Sequence, residues 1–253
     1  MGALTVLCSI GTTHPWNIAG VGLDARVAQR MEARHVAVVA GVSAQGSGEA
    51  AATAVAPELV AAQIRAVRDA RPDAYRIGAL PSPDVVAAVA NALANVTVPI
   101  VCDPVIATSG GLRLASEAAV DALRSFFSHC TLVTPNLDEA SRLCGFPVND
   151  RATMAGAAHA LVERDGARAA LITGGHLSDE ATDVLYASGA TTVFEGSQLR
   201  GGMRGTGCVL ATAAAIALAR GANVIDAIAS ARALVRDAIE HAVEWSGERV
   251  LPW

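Results

Sequence analysis

Residues 131–144 read Thr131-Leu132-Val133-Thr134-Pro135-Asn136-Leu137-Asp138-Glu139-Ala140-Ser141-Arg142-Leu143-Cys144. The opening residues form a short apolar run of strand type. Thr134-Pro135 interrupts it, because proline has no amide to give a ladder. Asn136 then stands where a helix N-cap belongs, and Glu139 follows at capping-box spacing. A strand, a break and a helix start succeed one another with almost no intervening chain.

The same unit recurs on both sides. Strand candidates lie at residues 4–10, 35–42, 74–77, 100–103, 131–133 and 169–172, bounded by Gly, Pro, Asp or Asn. Apolar residues at helical spacing run through 57–70, 83–93 and 118–127. This alternation predicts an α/β fold, a mostly parallel central sheet flanked by helices on both faces. Later the pattern changes. Segments 183–186 and 191–194 predict a hairpin, and two helices, 207–220 and 224–245, close the chain. No linker or repeat divides the 253 residues, so 1–253 reads as a single domain.

Composition narrows the function classes. Apolar residues make up 52% and charged residues 17%, as in a compact globular protein. Net charge is −5 and no basic run exists, so nucleic-acid binding lacks its cationic face. Cys8, Cys102, Cys130, Cys144 and Cys208 form no CxxC pair and are odd in number, which argues against a disulfide framework or zinc site. No two histidines have metal-ligand spacing. The opening MGALTVLCSIG has no basic n-region, and no apolar run reaches the ~18 residues of a membrane span. A cytoplasmic protein without a membrane partner is expected.

In open α/β sheets, ligands bind beyond the C-terminal ends of the strands. Arg204-Gly205-Thr206-Gly207-Cys208 lies at such a place and opens an Ala-rich helix. Its glycines allow close backbone approach, and the first helix amides lack intrahelical partners. With the helix dipole, they suit a phosphoryl group. Cys208 in the first turn is expected to have a lowered thiol pKa. The competing reading is a tight turn with a packed small residue. Asn136 and Glu139 likewise suit either a capping box or a polar, metal-facing pair. Asp103 ends a strand ahead of Pro104, and Gln45 follows one.

The segments AGVGLDARV, VSAQ, RIGAL, CDPVIATSGG, VTPNLDEASRL, ITGGHLSDEATDVLY and GTGC occur in this order along the chain. In that order the sequence resembles the hydroxymethylpyrimidine/phosphomethylpyrimidine kinases of thiamine biosynthesis, relatives of the pyridoxal kinases. The resemblance implies a ribokinase-like fold without a large lid. It also implies ATP- and Mg²⁺-dependent phosphorylation of 4-amino-5-hydroxymethyl-2-methylpyrimidine, its monophosphate, or both. Gly205, Thr206 and Gly207 would stabilise the transferring phosphoryl group while Cys208 takes the hydroxyl proton. Asn136 and Glu139 would organise the metal, and Asp103 would face the phosphates. Gln45 would meet the pyrimidine edge, which suits an amide's paired donor and acceptor. Ala19, Gly20 and Asp24 would complete the substrate site, and His176 would support the nucleotide loop. A homodimer is the family's common state. Alternatives are a kinase of pyridoxal or another hydroxymethyl heterocycle, or a catalytically weakened ligand-binding homologue.

Three departures bear on this. Thr13 and Trp16 stand where the family has Asp and small residues, which puts the substrate in question. Thr173 replaces a phosphate-facing Lys, and Arg204 replaces a His. Arg204 is expected to supply the charge that Thr173 lacks. A crowded Trp16 segment is expected to weaken use of the monophosphate, or else Trp16 packs against the first helix.

Overall fold

The computed structural model describes residues 4–46, 49–175, 181–197, 199 and 202–253. His176 lies outside them. The strands of the main sheet are β1 (Val6–Thr12), β2 (Arg34–Gly46), β3 (Glu49–Ala54), β4 (Ala74–Ile77), β5 (Ile100–Cys102), β6 (Leu132–Val133), β7 (Ala169–Gly174), β8 (Thr182–Ala187) and β9 (Ala190–Phe194). Among the described residues their order is β3-β2-β1-β4-β5-β6-β7-β8-β9. From β2 to β7 every pairing is parallel, while β3, β8 and β9 are antiparallel additions at the two edges. The α/β expectation and the 183–194 hairpin both hold.

The helices are α1 (Gly20–Arg30), α2 (Pro57–Val67), α3 (Pro83–Leu93), α4 (Glu117–Phe126), α5 (Leu137–Cys144), α6 (Arg151–Glu163), α7 (Thr206–Ala219) and α8 (Val224–Glu240). Their starts have local causes. Pro57 and Pro83 occupy first-turn positions, where a missing amide costs nothing. Ser82 and Ser116 accept from the amides of Val85 and Ala119. Gly145, with φ of 77°, ends α5 in the left-handed region.

Strand periodicity sorts the core into two layers. Leu7, Val101, Leu132 and Leu171 pack with α1, α7 and α8 on one face. Cys8, Ile77, Cys102, Val133 and Ile172 pack with α2 to α6 on the other. Helix α7 is buried on nearly every side, which explains its unbroken Ala-rich sequence.

Two features differ from the sequence reading. The last helix stops at Glu240 rather than 245. Val243–Trp245 (β10) instead pairs with Glu248–Val250 (β11) across a Ser246-Gly247 turn whose φ values are 50° and 82°. Alternation of Val243 and Trp245 with polar neighbours suits a strand better than a helix. Strand β3 is also new. Its alanines carry no strand preference, so the element comes from pairing with the overlong β2. Beyond Gly41 this pair forms a two-stranded extension that carries Gln45.

One charged residue lies in the middle of the sheet. Arg76 in β4 is only 1% exposed. Period two turns it toward the α1/α7 face. There Nη1 meets Asp24 of α1 at 3.3 Å and Nη2 donates to Asp103, just past β5. The other Asp24 oxygen accepts from Thr212 Oγ1 of α7 at 2.8 Å. Burial works against the Arg76 charge, but the carboxylates more than offset this and hold its pKa above the usual range. Arg76→Met should therefore strand two buried carboxylates and cost about 3–5 kcal/mol in urea unfolding at pH 8. The deficit should shrink at pH 5, because stranded carboxylates bind protons that the unfolded chain does not. A loss below ~1 kcal/mol at pH 8 would mean the ion pairs do not anchor the fold.

Candidate active site

The N-termini of α1 and α7 converge at the C-terminal edge of the sheet. Glycine is obligatory at both. A Cβ on Gly20 (φ 63°) would fall 2.1 Å from Thr12 O. A Cβ on Gly205 (φ 81°), the N-cap of α7, would fall 2.3 Å from Leu23 Cδ2 and 2.5 Å from Ile18 O. Ala19 caps α1 in an extended conformation. The first amides of α7, from Thr206 to Cys208, begin a helix and have no intrahelical acceptors. A Cβ on Gly207 would lie 3.7 Å from both Asp103 carboxylate oxygens. The site thus combines helix-end donors with an acidic wall.

Cys208 is in the first turn as expected, but its acidity is not. Burial pushes the thiol up to about 11, and the charges of Asp103 and Asp24 add to this. Arg76 and the Gly20 amide pull the other way without prevailing. The resting side chain is a neutral thiol. The expectation of a lowered pKa counted the helix dipole and missed burial beside two carboxylates.

Asn136 and Glu139 form a complete capping box. Asn136 Oδ1 accepts from the Glu139 amide at 2.9 Å, and Glu139 Oε2 accepts from the Asn136 amide at 2.9 Å. Yet Glu139 is 6% exposed, far more enclosed than a cap requires. Its pKa rises to about 8, first through burial and then through the nearby Asp103 charge, against backbone hydrogen bonds from Asn136 and Ile106. Asp103 is itself held above the ordinary carboxylate range, by burial ahead of the opposing pull of Arg76. No group of three or more His, Cys, Asp or Glu side chains forms a metal cage among the described residues. Two enclosed carboxylates of raised pKa nevertheless fit Mg²⁺, which keeps much of its water and takes few protein ligands. Thr173 sits beside this corner, its strand bridged to Asn136 and its amide donating to Pro135 O at 3.0 Å.

A cavity of about 290 Å³ is lined by Arg204, the residue before the GTG turn, and by Ile18, whose carbonyl packs on Gly205. Its walls include His14, Trp16, Gln45 and the 108–112 loop, with Ser246 and Glu248 from the closing hairpin. Trp16 packs on Trp245, with ring centroids 5.4 Å apart. His14 Nδ1 accepts from the Trp16 amide at 3.1 Å, and burial followed by the Arg204 charge lowers its pKa.

Two expected placements change. Asp24 does not border the cavity; it is fully buried and spends its oxygens on Arg76 and Thr212. Arg204 points into the cavity, toward Glu248 at 3.2 Å and Gln45 Oε1 at 3.2 Å, instead of standing in for a cation at Thr173. Gln45, Ala19, Gly20, Asp103, Asn136, Glu139 and the GTGC turn all gather at the one sheet edge. Arg76 is the residue that the sequence reading passed over. Its signal was present: a lone charge inside the otherwise apolar strand Ala74–Ile77 demands a buried partner.

Known proteins agree with this architecture. Residues 16–252 match the family model described as phosphomethylpyrimidine kinase. A hydroxymethylpyrimidine/phosphomethylpyrimidine kinase of Rhizobium meliloti (strain 1021) is 34% identical over 243 residues, covering 94% of this chain and 91% of that protein. The protein of the same name from Mycobacterium tuberculosis (strain ATCC 25618 / H37Rv) is 38% identical over 218 residues, covering 83% and 79%. The ADP complex of Bacillus subtilis pyridoxal kinase superposes with a TM-score of 0.90 at 25% identity, over 98% of this chain and 97% of that one. On its match to the family model and to these relatives over most of its length, the chain belongs to the phosphomethylpyrimidine kinase family and is a phosphotransferase.

Proposed function

We propose that the protein transfers the γ-phosphoryl group of ATP to the hydroxymethyl group of 4-amino-5-hydroxymethyl-2-methylpyrimidine, and less readily to its monophosphate. The observation that carries this reading is that Ile18 and Arg204, which pack on and precede Gly205 at the α7 N-terminus, also line the 290 Å³ cavity. One subsite suits a transferring phosphoryl group and the other a flat heterocycle. A bound Mg²⁺ would supply charge neutralisation at the nucleotide phosphates. Glu139 and Asp103 are the carboxylates that would hold it and its waters, with Asn136 fixing Glu139 through the capping box. Thr173 lies on the nucleotide side of this corner. The Thr206, Gly207 and Cys208 amides donate to the phosphoryl oxygens as charge develops. Gln45 meets the heterocycle edge, and Trp16, backed by Trp245, walls the cavity. The crowding by Trp16 supports the weaker second phosphorylation. The family resemblance supports a homodimer in the cytoplasm. No helix among the described residues is long and apolar enough to cross a membrane.

Cys208 Sγ takes the substrate proton in this reading. Only the thiolate can do so, and the free protein holds the thiol at about 11. The value of kcat/KM reports the free enzyme's ionisations. Above the ionisation of Glu139 near 8 it should therefore rise about tenfold per pH unit, between roughly pH 9 and 10. Cys208→Ala should lose the slope and fall ~10²-fold at pH 8. A flat wild-type profile, or an alanine variant with undiminished rate, would leave the amides as the whole catalytic apparatus.

Glu139 separates capping from metal binding. Its native pKa of about 8 lies above the ordinary 4.5. The native protein thus keeps a proton that the unfolded chain releases, and stability falls as pH rises from 4.5 towards 8. Glu139→Gln can still cap but has no charge to suppress. It should unfold at an equal or higher temperature at pH 7.5, lack that decline, need several-fold more Mg²⁺ for half-maximal rate and turn over more slowly. Activity lost only in step with stability, at unchanged Mg²⁺ dependence, would reduce Glu139 to a cap.

A further inference from the structure

The geometry points to Arg204 as a positioning residue that pins the Gln45 amide in one orientation and so selects the hydrogen-bonding pattern of the heterocycle the cavity accepts. This inference rests on the substrate reading above and extends it to residues outside the phosphoryl site.

A glutamine amide can be turned end for end with little change in shape, so its neighbours must decide which end is oxygen. Here both neighbours are committed. Ser43 Oγ has a single hydrogen, and it donates this to Thr13 O at 2.6 Å. Toward Gln45 it then accepts, receiving Nε2–H at 2.9 Å. Arg204 has donors only, and its Nη2 meets Gln45 Oε1 at 3.2 Å. Turning the amide over would set oxygen against oxygen at Ser43 and N–H against N–H at Arg204. The Ser43 hydroxyl could swing its hydrogen from Thr13 O to a turned amide, but Arg204 cannot accept, so Arg204 is the neighbour that excludes the alternative.

Arg204 is itself held. Its Nη1 pairs with Glu248 at 3.2 Å, and its backbone amide donates to Arg249 O at 3.1 Å, both in the closing hairpin. The guanidinium is about one-fifth exposed, so it is restrained without being sealed. The neighbouring His14 has its Nδ1 occupied by the Trp16 amide and adds no competing acceptor there.

Once pinned, Gln45 has one N–H and one carbonyl lone pair left for a ligand. An aminopyrimidine edge offers a ring-nitrogen acceptor beside an amino donor. The 4-oxo isostere offers the same two roles in exchanged positions. A freely turning glutamine serves both equally, whereas a pinned one serves only one. The 4-amino form is the one that the substrate reading requires.

The test is calorimetric binding of 4-amino-5-hydroxymethyl-2-methylpyrimidine and its 4-oxo analogue to the full-length protein without nucleotide. Wild type should favour the amino form. Arg204→Met keeps the apolar stem and removes every donor, and the preference should drop by ~10-fold or more, the scale of one misplaced hydrogen bond. Arg204→Lys should recover part of it. Glu248→Gln, which loosens Arg204 without touching Gln45, should give an intermediate ratio and serves if the methionine variant folds poorly. An unchanged ratio in these variants, with wild type still discriminating, overturns the pin alone. Wild type that binds neither heterocycle overturns the substrate reading and the pin together.

Discussion

A guanidinium sealed between two carboxylates holds this active site together. Arg76 touches Asp24 of α1 and Asp103 beyond β5, and Asp24 is bonded in turn to Thr212 of α7. Each of these charges is too deeply buried to stand unpaired. The elements that carry them are therefore fixed relative to one another. Those same elements deliver the Gly20 and GTG turns and the acidic wall. The geometry of the proposed phosphoryl site follows from a charge constraint in the core.

The constraint leaves a surplus. Among the described residues Arg76 is the cation paired with Asp24 and Asp103, and the groups around them resist further ionisation. Cys208 and Glu139 both have raised pKa values, and Asp103 contributes to each. The two helix N-termini offset part of the excess through their dipoles. A dication at the acidic corner would offset more.

Much of this was legible in sequence. Strand and helix alternation was clear because the parallel sheet is buried on both faces and its strands are short apolar runs. The GTG turn, Asn136 with Glu139, and Gln45 were visible because glycines, caps and strand-end polar residues carry local signals. What remained hidden was non-local. Strand β3 is Ala-rich and exists only through pairing with β2. The hairpin at Val243–Val250 was absorbed into the preceding helix because Ser246-Gly247 resembles a helix end. Asp24 looked like a ligand contact because no sequence signal shows that Arg76, 52 positions away, would claim it. The Cys208 thiol was misjudged because the helix dipole is local, whereas burial and two distant carboxylates are not.

The closing hairpin shapes the cavity side. It brings Trp245 to Trp16 and Glu248 to Arg204. The central claim remains chemical: this cavity and the α7 amides serve one phosphoryl transfer. Phosphorus NMR of the purified protein with ATP, Mg²⁺ and 4-amino-5-hydroxymethyl-2-methylpyrimidine tests it most directly. The account predicts a phosphomonoester resonance on the hydroxymethyl group growing in step with ADP. Binding of the pyrimidine with no such resonance, or ADP formed without it, would contradict the account.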